Sequence, residues 1–212
     1  MKFVLLILAA VLLLGGCGGG PKVTQTRDVA PFTGLAVTSD VNVDVVPGAA
    51  GPIVVTGGED VIDRVRTETS DGLLHISIAD RGIVIGPDPF DDVHVQVPAG
   101  GLRNIHVQAS GDLDLGHVDL DALTIEVDGS SDIRASGTVG DLVASIEGSG
   151  DAHLADLAAR TARVSVEGSG DMDLNVSEEL DVTVEGAGDV SYRGNPQVRQ
   201  QVEGSGEVRP AD

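Results

Sequence analysis

The stretch Val164-Ser165-Val166-Glu167-Gly168-Ser169-Gly170-Asp171-Met172-Asp173-Leu174 decides the fold. Apolar residues alternate with polar ones on both sides of a glycine-bracketed serine, the period of a half-buried strand that reaches a sharp reversal and continues as a strand. The motif recurs as V-Q-A-S-G-D (107–112), V-D-G-S-S-D (127–132), I-E-G-S-G-D (146–151), V-E-G-S-G-D (166–171), V-E-G-A-G-D (184–189) and V-E-G-S-G-E (202–207). Its closing acids are spaced by 20, 19, 20, 18 and 18 residues. A strand-borne repeat of about 20 residues predicts an all-β solenoid.

The repeats align by column. Ile105, Ile125, Ala144, Val164, Val182 and Gln200 form one; Val107, Val127, Ile146, Val166, Val184 and Val202 the next. Beyond the turn come Leu113, Ile133, Ala152, Met172, Val190 and Val208, then Leu115, Ala135, Leu154, Leu174, Tyr192 and Pro210. Stacked coils place column members about 4.8 Å apart. Gln200 and Pro210 break the inward columns, and 198–210 reads as an edge strand pair or frayed cap. Gly148, Gly150, Gly168, Gly170, Gly186, Gly188, Gly204 and Gly206 are the expected structural turn residues, with Ala109 and Ser131 as exceptions to the pattern.

Residues 29–98 are β in character but less regular. V-T-S-D-V-N-V-D-V (37–45) reads as a worn repeat with Asp40 in the acid position. Further strands are expected over 52–56, 61–69, 73–78, 83–85 and 93–97. Turns are expected at Pro47-Gly48, Gly57-Gly58, Asp71-Gly72 and Gly86-Pro87. One continuous β domain over 28–210 is expected, with a split near Ala99-Gly100-Gly101 as the alternative.

Composition agrees. Hydrophobic residues make up 41% of the 212, yet there is no Trp, one Tyr and three Phe. A core without large rings is thin and layered, which suits stacked β-branched strands. The net charge of −21 and the lack of a Lys/Arg cluster argue against nucleic acid as a partner.

At the start, Met1-Lys2 precedes an apolar run from Phe3 to Leu14, too short to span a bilayer as a helix but suited to a signal-peptide core. It ends in Leu14-Gly15-Gly16-Cys17, which resembles a bacterial lipobox. The expectation is a signal peptide over 1–16, a lipidated Cys17 and a flexible tether through 27, holding the protein to the cell envelope. Gly18 favours the outer over the inner membrane. An ordinary secretory peptide is the alternative.

Two outward columns carry the unusual chemistry: Gln108, Asp128, Glu147, Glu167, Glu185, Glu203, and Asp112, Asp132, Asp151, Asp171, Asp189, Glu207. Unit charges about 4.8 Å apart in water repel by about 0.9 kcal/mol per pair before screening. Either each Asp accepts backbone N–H groups of its own turn, or the ridge holds Ca²⁺ weakly between paired carboxylates. No nucleophile elbow, phosphate loop or dinucleotide fingerprint occurs, and neither a cofactor nor a dedicated metal site is expected. His75, His94, His106, His117 and His153 are scattered; His94 and His106 should face outward. An outward column of Asp114, Arg134, His153, Asp173 and Ser191 is the one arrangement reminiscent of polysaccharide cleavage, but its residue types vary and no aromatic platform accompanies it.

Together the leader, the opening Phe32-Thr33-Gly34-Leu35-Ala36-Val37, D-G-L-L-H-I-S-I (71–78), V-H-V-Q-V-P (93–98), L-R-N-I-H-V-Q-A-S-G-D (102–112) and the GSG turns resemble the head GIN family of putative auto-transporter adhesins. The resemblance covers roughly 28–208. It implies a right-handed parallel β-helix-like fold with two sheets joined at GSG corners, an adhesive role and no catalytic residues. The functional expectation is a non-catalytic envelope lipoprotein that binds a glycan or protein ligand. A periplasmic structural or stress-related scaffold is the alternative, and a polysaccharide-cleaving enzyme ranks below both.

Overall fold

The computed structural model describes residues 21–79 and 89–211. In chain order its strands are β1 (Lys22–Arg27), β2 (Gly34–Val37), β3 (Asn42–Val46), β4 (Ile53–Gly58), β5 (Val65–Ser70), β6 (Leu73–Ile78), β7 (His94–Pro98) and β8 (Asn104–Val107). Four long strands follow: β9 (Leu113–Gly129), β10 (Ile133–Gly148), β11 (Ala152–Gly168) and β12 (Met172–Gly186). The chain closes with β13 (Val190–Arg193), β14 (Gln197–Gly204) and β15 (Val208–Pro210). The architecture is an all-β solenoid of about six turns of roughly 19 residues each.

Like residues stack in register. Ile125, Ala144, Val164 and Val182 pair successively along parallel strands, as do Val127, Ile146, Val166 and Val184. All eight are at most 2% exposed. Each long strand bends midway, so its first part pairs in one sheet and its second part in another. β9, for example, meets β3 through Val43↔Leu113 and β8 through Val107↔Val127. The two sheets close over one hydrophobic core that runs from Phe32 to Val190.

The irregular half is a coil stack whose spatial order differs from its chain order. β2 lies between β6 and β8, and β3 between β7 and β9. The β2–β3 coil is therefore sandwiched between two coils made later in the chain. Antiparallel strands then close this end: β5 on β6, β4 on β7, and β1 on β4. Asp71 and Gly72 join β5 to β6 with φ of 53° and 77°, the left-handed pair that a two-residue hairpin turn demands.

Three expectations need correction. Residues 22–27, expected as part of a tether, form β1 in full register with β4. Arg27 secures this strand by donating to the carbonyls of Ile62 (2.9 Å) and Val65 (2.6 Å) and to the Gln25 side chain. Its burial lowers the guanidinium pKa, with Asp63 opposing the shift. Gly57-Gly58 is not a turn but the end of β4, paired with Val23 and Lys22. The strand expected from 61 begins instead as a 3₁₀ turn, Ile62–Arg64, that buries Ile62 before β5. The strand expected at 83–85 and the turn at Gly86-Pro87 lie outside the described residues, as does everything before Pro21.

Candidate functional site: the acidic corner and the polar faces

The corner is built from backbone contacts between coils. Gly168 has a φ of 130°, and its equivalents Gly148, Gly186 and Gly204 lie at 134°, 135° and 135°. This is a region that side chains disfavour. The second glycine is needed for space: a Cβ on Gly170 would run into the carbonyl oxygen of Gly150 one coil below, and Gly150, Gly188 and Gly206 repeat the collision. The serine between them uses its main chain. Ser169 N donates to Gly148 O at 2.9 Å, and Ala187 N makes the equivalent bond to Gly168 O at 2.8 Å without any hydroxyl. The exception Ser131 is fully buried, and its hydroxyl donates to Ala109 O at 2.9 Å.

The aspartate column forms a ladder that crosses coils. Asp132 Oδ1 accepts the amide of Asp151 (3.2 Å), Asp151 that of Asp171 (2.8 Å), Asp171 that of Asp189 (2.8 Å) and Asp189 that of Glu207 (2.9 Å). The donor is thus the amide of the next coil, not one of the aspartate's own turn. The main chain completes each junction in the other sense: Ile133 N reaches Asp151 O, and Ala152 N reaches Asp171 O. A charged acceptor facing a fixed amide offsets the repulsion between neighbouring carboxylates.

The worn first copy joins this ladder through a different residue from the one expected. Val37↔Val107 and Val43↔Leu113 set the register, which puts Asn42, not Asp40, in the acid column. Asn42 Oδ1 accepts the Asp112 amide at 3.3 Å, while Asp40 sits two residues earlier and accepts the Ser110 amide at 2.8 Å. The core valines decide the alignment; the acid label misleads because both residues can accept.

The second acidic column behaves differently. Glu147, Glu167, Glu185 and Glu203 are exposed along a ridge, with Gln108 donating to Asp128 at 3.1 Å at its base. Among the described residues, no three His, Cys, Asp or Glu converge in a way that could hold a metal ion.

The expected outward column of mixed type forms in register: Asp114, Arg134, His153, Asp173 and Ser191 pair successively. His153 Nδ1 lies 3.4 Å from Asp173 Oδ2, and Ser191 donates its hydroxyl to Asp173. Asp173 thus serves two neighbours rather than activating a nucleophile. His94 is exposed beside Asp44 at 3.6 Å. His106 faces outward but is half-buried, with Nδ1 3.3 Å from Glu126 and Nε2 3.7 Å from Asp128. Both partners lie 20 or so positions ahead, so the repeat length itself predicts them.

Sequence reading missed a clamp at the far bend of the coils. Arg160 bonds Asp141 in the coil below and Glu178 in the coil above, and Thr161 donates to Asp141 at 2.8 Å. The spacings of 19 and 18 match the repeat, but no motif flags them. On the other sheet, Glu126, Ser145, Ser165, Thr183 and Gln201 align along the outer face, flanked by Thr124, Val143, Arg163, Asp181 and Arg199. Arg163, Asp181, Arg199 and Glu179 border a shallow depression of about 250 Å³. Cys17 lies outside the described residues.

A family model described as putative auto-transporter adhesin, head GIN domain, matches residues 31–196. Among solved structures, a putative adhesin from Bacteroides fragilis is similar at 20% identity, with a TM-score of 0.70 over 90% of this chain and 97% of that one. A putative adhesin from Parabacteroides distasonis follows at 20% identity and a TM-score of 0.54, covering 92% and 98% of the two chains. A putative lipid binding protein from the same organism has 18% identity and a TM-score of 0.53, covering 90% and 97%. None of the curated proteins matches. At these identities the structural likeness speaks for the fold alone.

Proposed function

The chain belongs to the head GIN domain family of putative auto-transporter adhesins, and from that premise we propose that it is a non-catalytic binding module of the bacterial cell envelope, tethered through a lipid on Cys17. The observation that carries this reading is the outer face of β9–β12 and β14. There, Glu126, Ser145, Ser165, Thr183 and Gln201 stand in a straight column beside a second column that includes the charged residues Arg163, Asp181 and Arg199. Apart from Gln201 and Arg199, which β14 ties to β12 alone, every member is held by two neighbouring strands, so the face is rigid before any ligand arrives. Preorganisation of that kind lowers the ordering cost of binding. Hydroxyls, amides and paired charges at strand spacing suit an extended polar ligand, a glycan or a protein segment, more than a small molecule taken into a pocket.

The lipobox-like Leu14-Gly15-Gly16-Cys17 supports the tether, since Cys17 is the sole cysteine and stands where diacylglycerol would be added. A chain held in this way needs no transmembrane span. Outer-membrane placement, with the solenoid facing outward, is the arrangement in which adhesion works.

Three measurements on cells test the proposal. Replacing Cys17 with Ala should move the protein from the membrane to the soluble fraction. Protease added to intact cells should degrade the wild-type protein, and the paired change Ser165→Arg with Thr183→Arg should lower adherence of cells to immobilised glycans or matrix proteins to the level of a deletion strain. Complete protection from external protease would instead favour a periplasmic scaffold. Unchanged adherence in the deletion strain would remove the adhesive reading.

A further inference from the structure

We propose that the C-terminal end of the solenoid is a self-complementary edge, and that two copies of the chain join there through antiparallel pairing of β14. β14 pairs only with β12 among the described strands, so its other side presents an unpaired row of backbone donors and acceptors eight residues long. The core column that ends here is uncovered. Val107, Val127, Ile146, Val166 and Val184 are at most 2% exposed, whereas Val202 is 37% exposed.

The residue order along this edge specifies the partner. β14 reads Gln197-Val198-Arg199-Gln200-Gln201-Val202-Glu203-Gly204, with Arg199, Gln201 and Glu203 on its outward side and Val198, Gln200 and Val202 in the core columns. In antiparallel pairing about a two-fold axis through Gln201, Arg199 of one copy stands opposite Glu203 of the other, and the pair occurs twice. Val202 then faces Gln200 of the second copy on the core side. Directly opposed unlike charges stabilise antiparallel strands, and main-chain bonds supply the affinity of strand addition. A parallel partner would instead continue the stack, placing Glu over Glu and Arg over Arg.

Charge favours this end as well. The chain carries −21 in total, but residues 190–211 hold three arginines (Arg193, Arg199, Arg209) and two glutamates (Glu203, Glu207). Two copies therefore meet where the acidic repulsion is least. Pro210 in β15 lacks an amide hydrogen and blocks the edge of the other sheet, so pairing is confined to β14. A two-fold contact is closed and ends growth at two copies.

The test uses the full chain in detergent with Cys17→Ser. Gln201→Cys should give a disulfide-linked dimer under air, while Ser165→Cys, in the same outward column two coils inside, should not. In equilibrium sedimentation of the chain without added cysteines, Arg199→Glu should abolish the dimer, and Arg199→Glu with Glu203→Arg should restore it. Thermal melts check that each variant remains folded, which these exposed positions should permit. A chain that stays monomeric at every concentration would overturn the proposal. So would equal cross-linking at both cysteine positions, failure of the double exchange to restore the dimer, or growth into oligomers larger than two.

Discussion

Asp171 accepts the amide of Asp189 and donates its own amide to Asp151, so it is both rung and rail. Replacing it with Ala leaves the Asp189 amide without its acceptor and should cost about 1 kcal/mol in urea unfolding, the loss of a bond to a charged acceptor being partly offset by relief of repulsion along the column. Asn keeps an acceptor oxygen and removes one charge from the column, so Asp171→Asn should equal or exceed wild-type stability; Asn42 already occupies that position in the first coil. The glycines are less forgiving. Gly168→Ala places a side chain at a φ of 130° and against the Gly148 carbonyl, and should destabilise by at least about 2 kcal/mol. Ser169→Ala, by contrast, should leave the unfolding midpoint unchanged, because Ala187 fills the equivalent site with the same main-chain bond. A large loss at Ser169 would show that the hydroxyl has a role beyond the turn.

The elements explain which parts of the fold were legible. From Asn104 onward each coil carries its own copy of the alternation and the corner, so the columns could be read down the page and the structure stacks them in register. The first half offers no such redundancy. Its β2–β3 coil lies between two coils that come later in the chain, and no local pattern encodes that jump. β1, Lys22-Val23-Thr24-Gln25-Thr26-Arg27, carries no copy of the repeat that would mark it as a strand. Its stability comes from β4 and from Arg27 reaching the carbonyls of Ile62 and Val65, contacts 35 and 38 residues distant. Asp40 and Asn42 show the same limit: the acid looked decisive, but the valines on either side set the alignment. A core substitution tests the element scale. Leu154, fully buried and paired with Leu174 in the next coil, should cost about 2–5 kcal/mol on change to Ala. Tyr192, in the same column but only partly buried, should cost clearly less.

Over the whole molecule, the same short corner solves two problems at once. It turns the chain between sheets, and it supplies carboxylates that hold the next coil, so acidity is bound into the architecture rather than merely tolerated at the surface. The polar faces then remain free for a partner, held rigid by strand pairing. All of this rests on coils stacked in register at strand spacing. The direct test is a series of spin-label pairs, in a Cys17→Ser background, between position 108 and positions 167, 185 and 203 of the exposed acidic column. The distance should lengthen by about 4.8 Å for each added coil, to about 24 Å for 108–203. Distances that fail to grow coil by coil, or that scatter broadly for a given pair, would contradict the stacked solenoid.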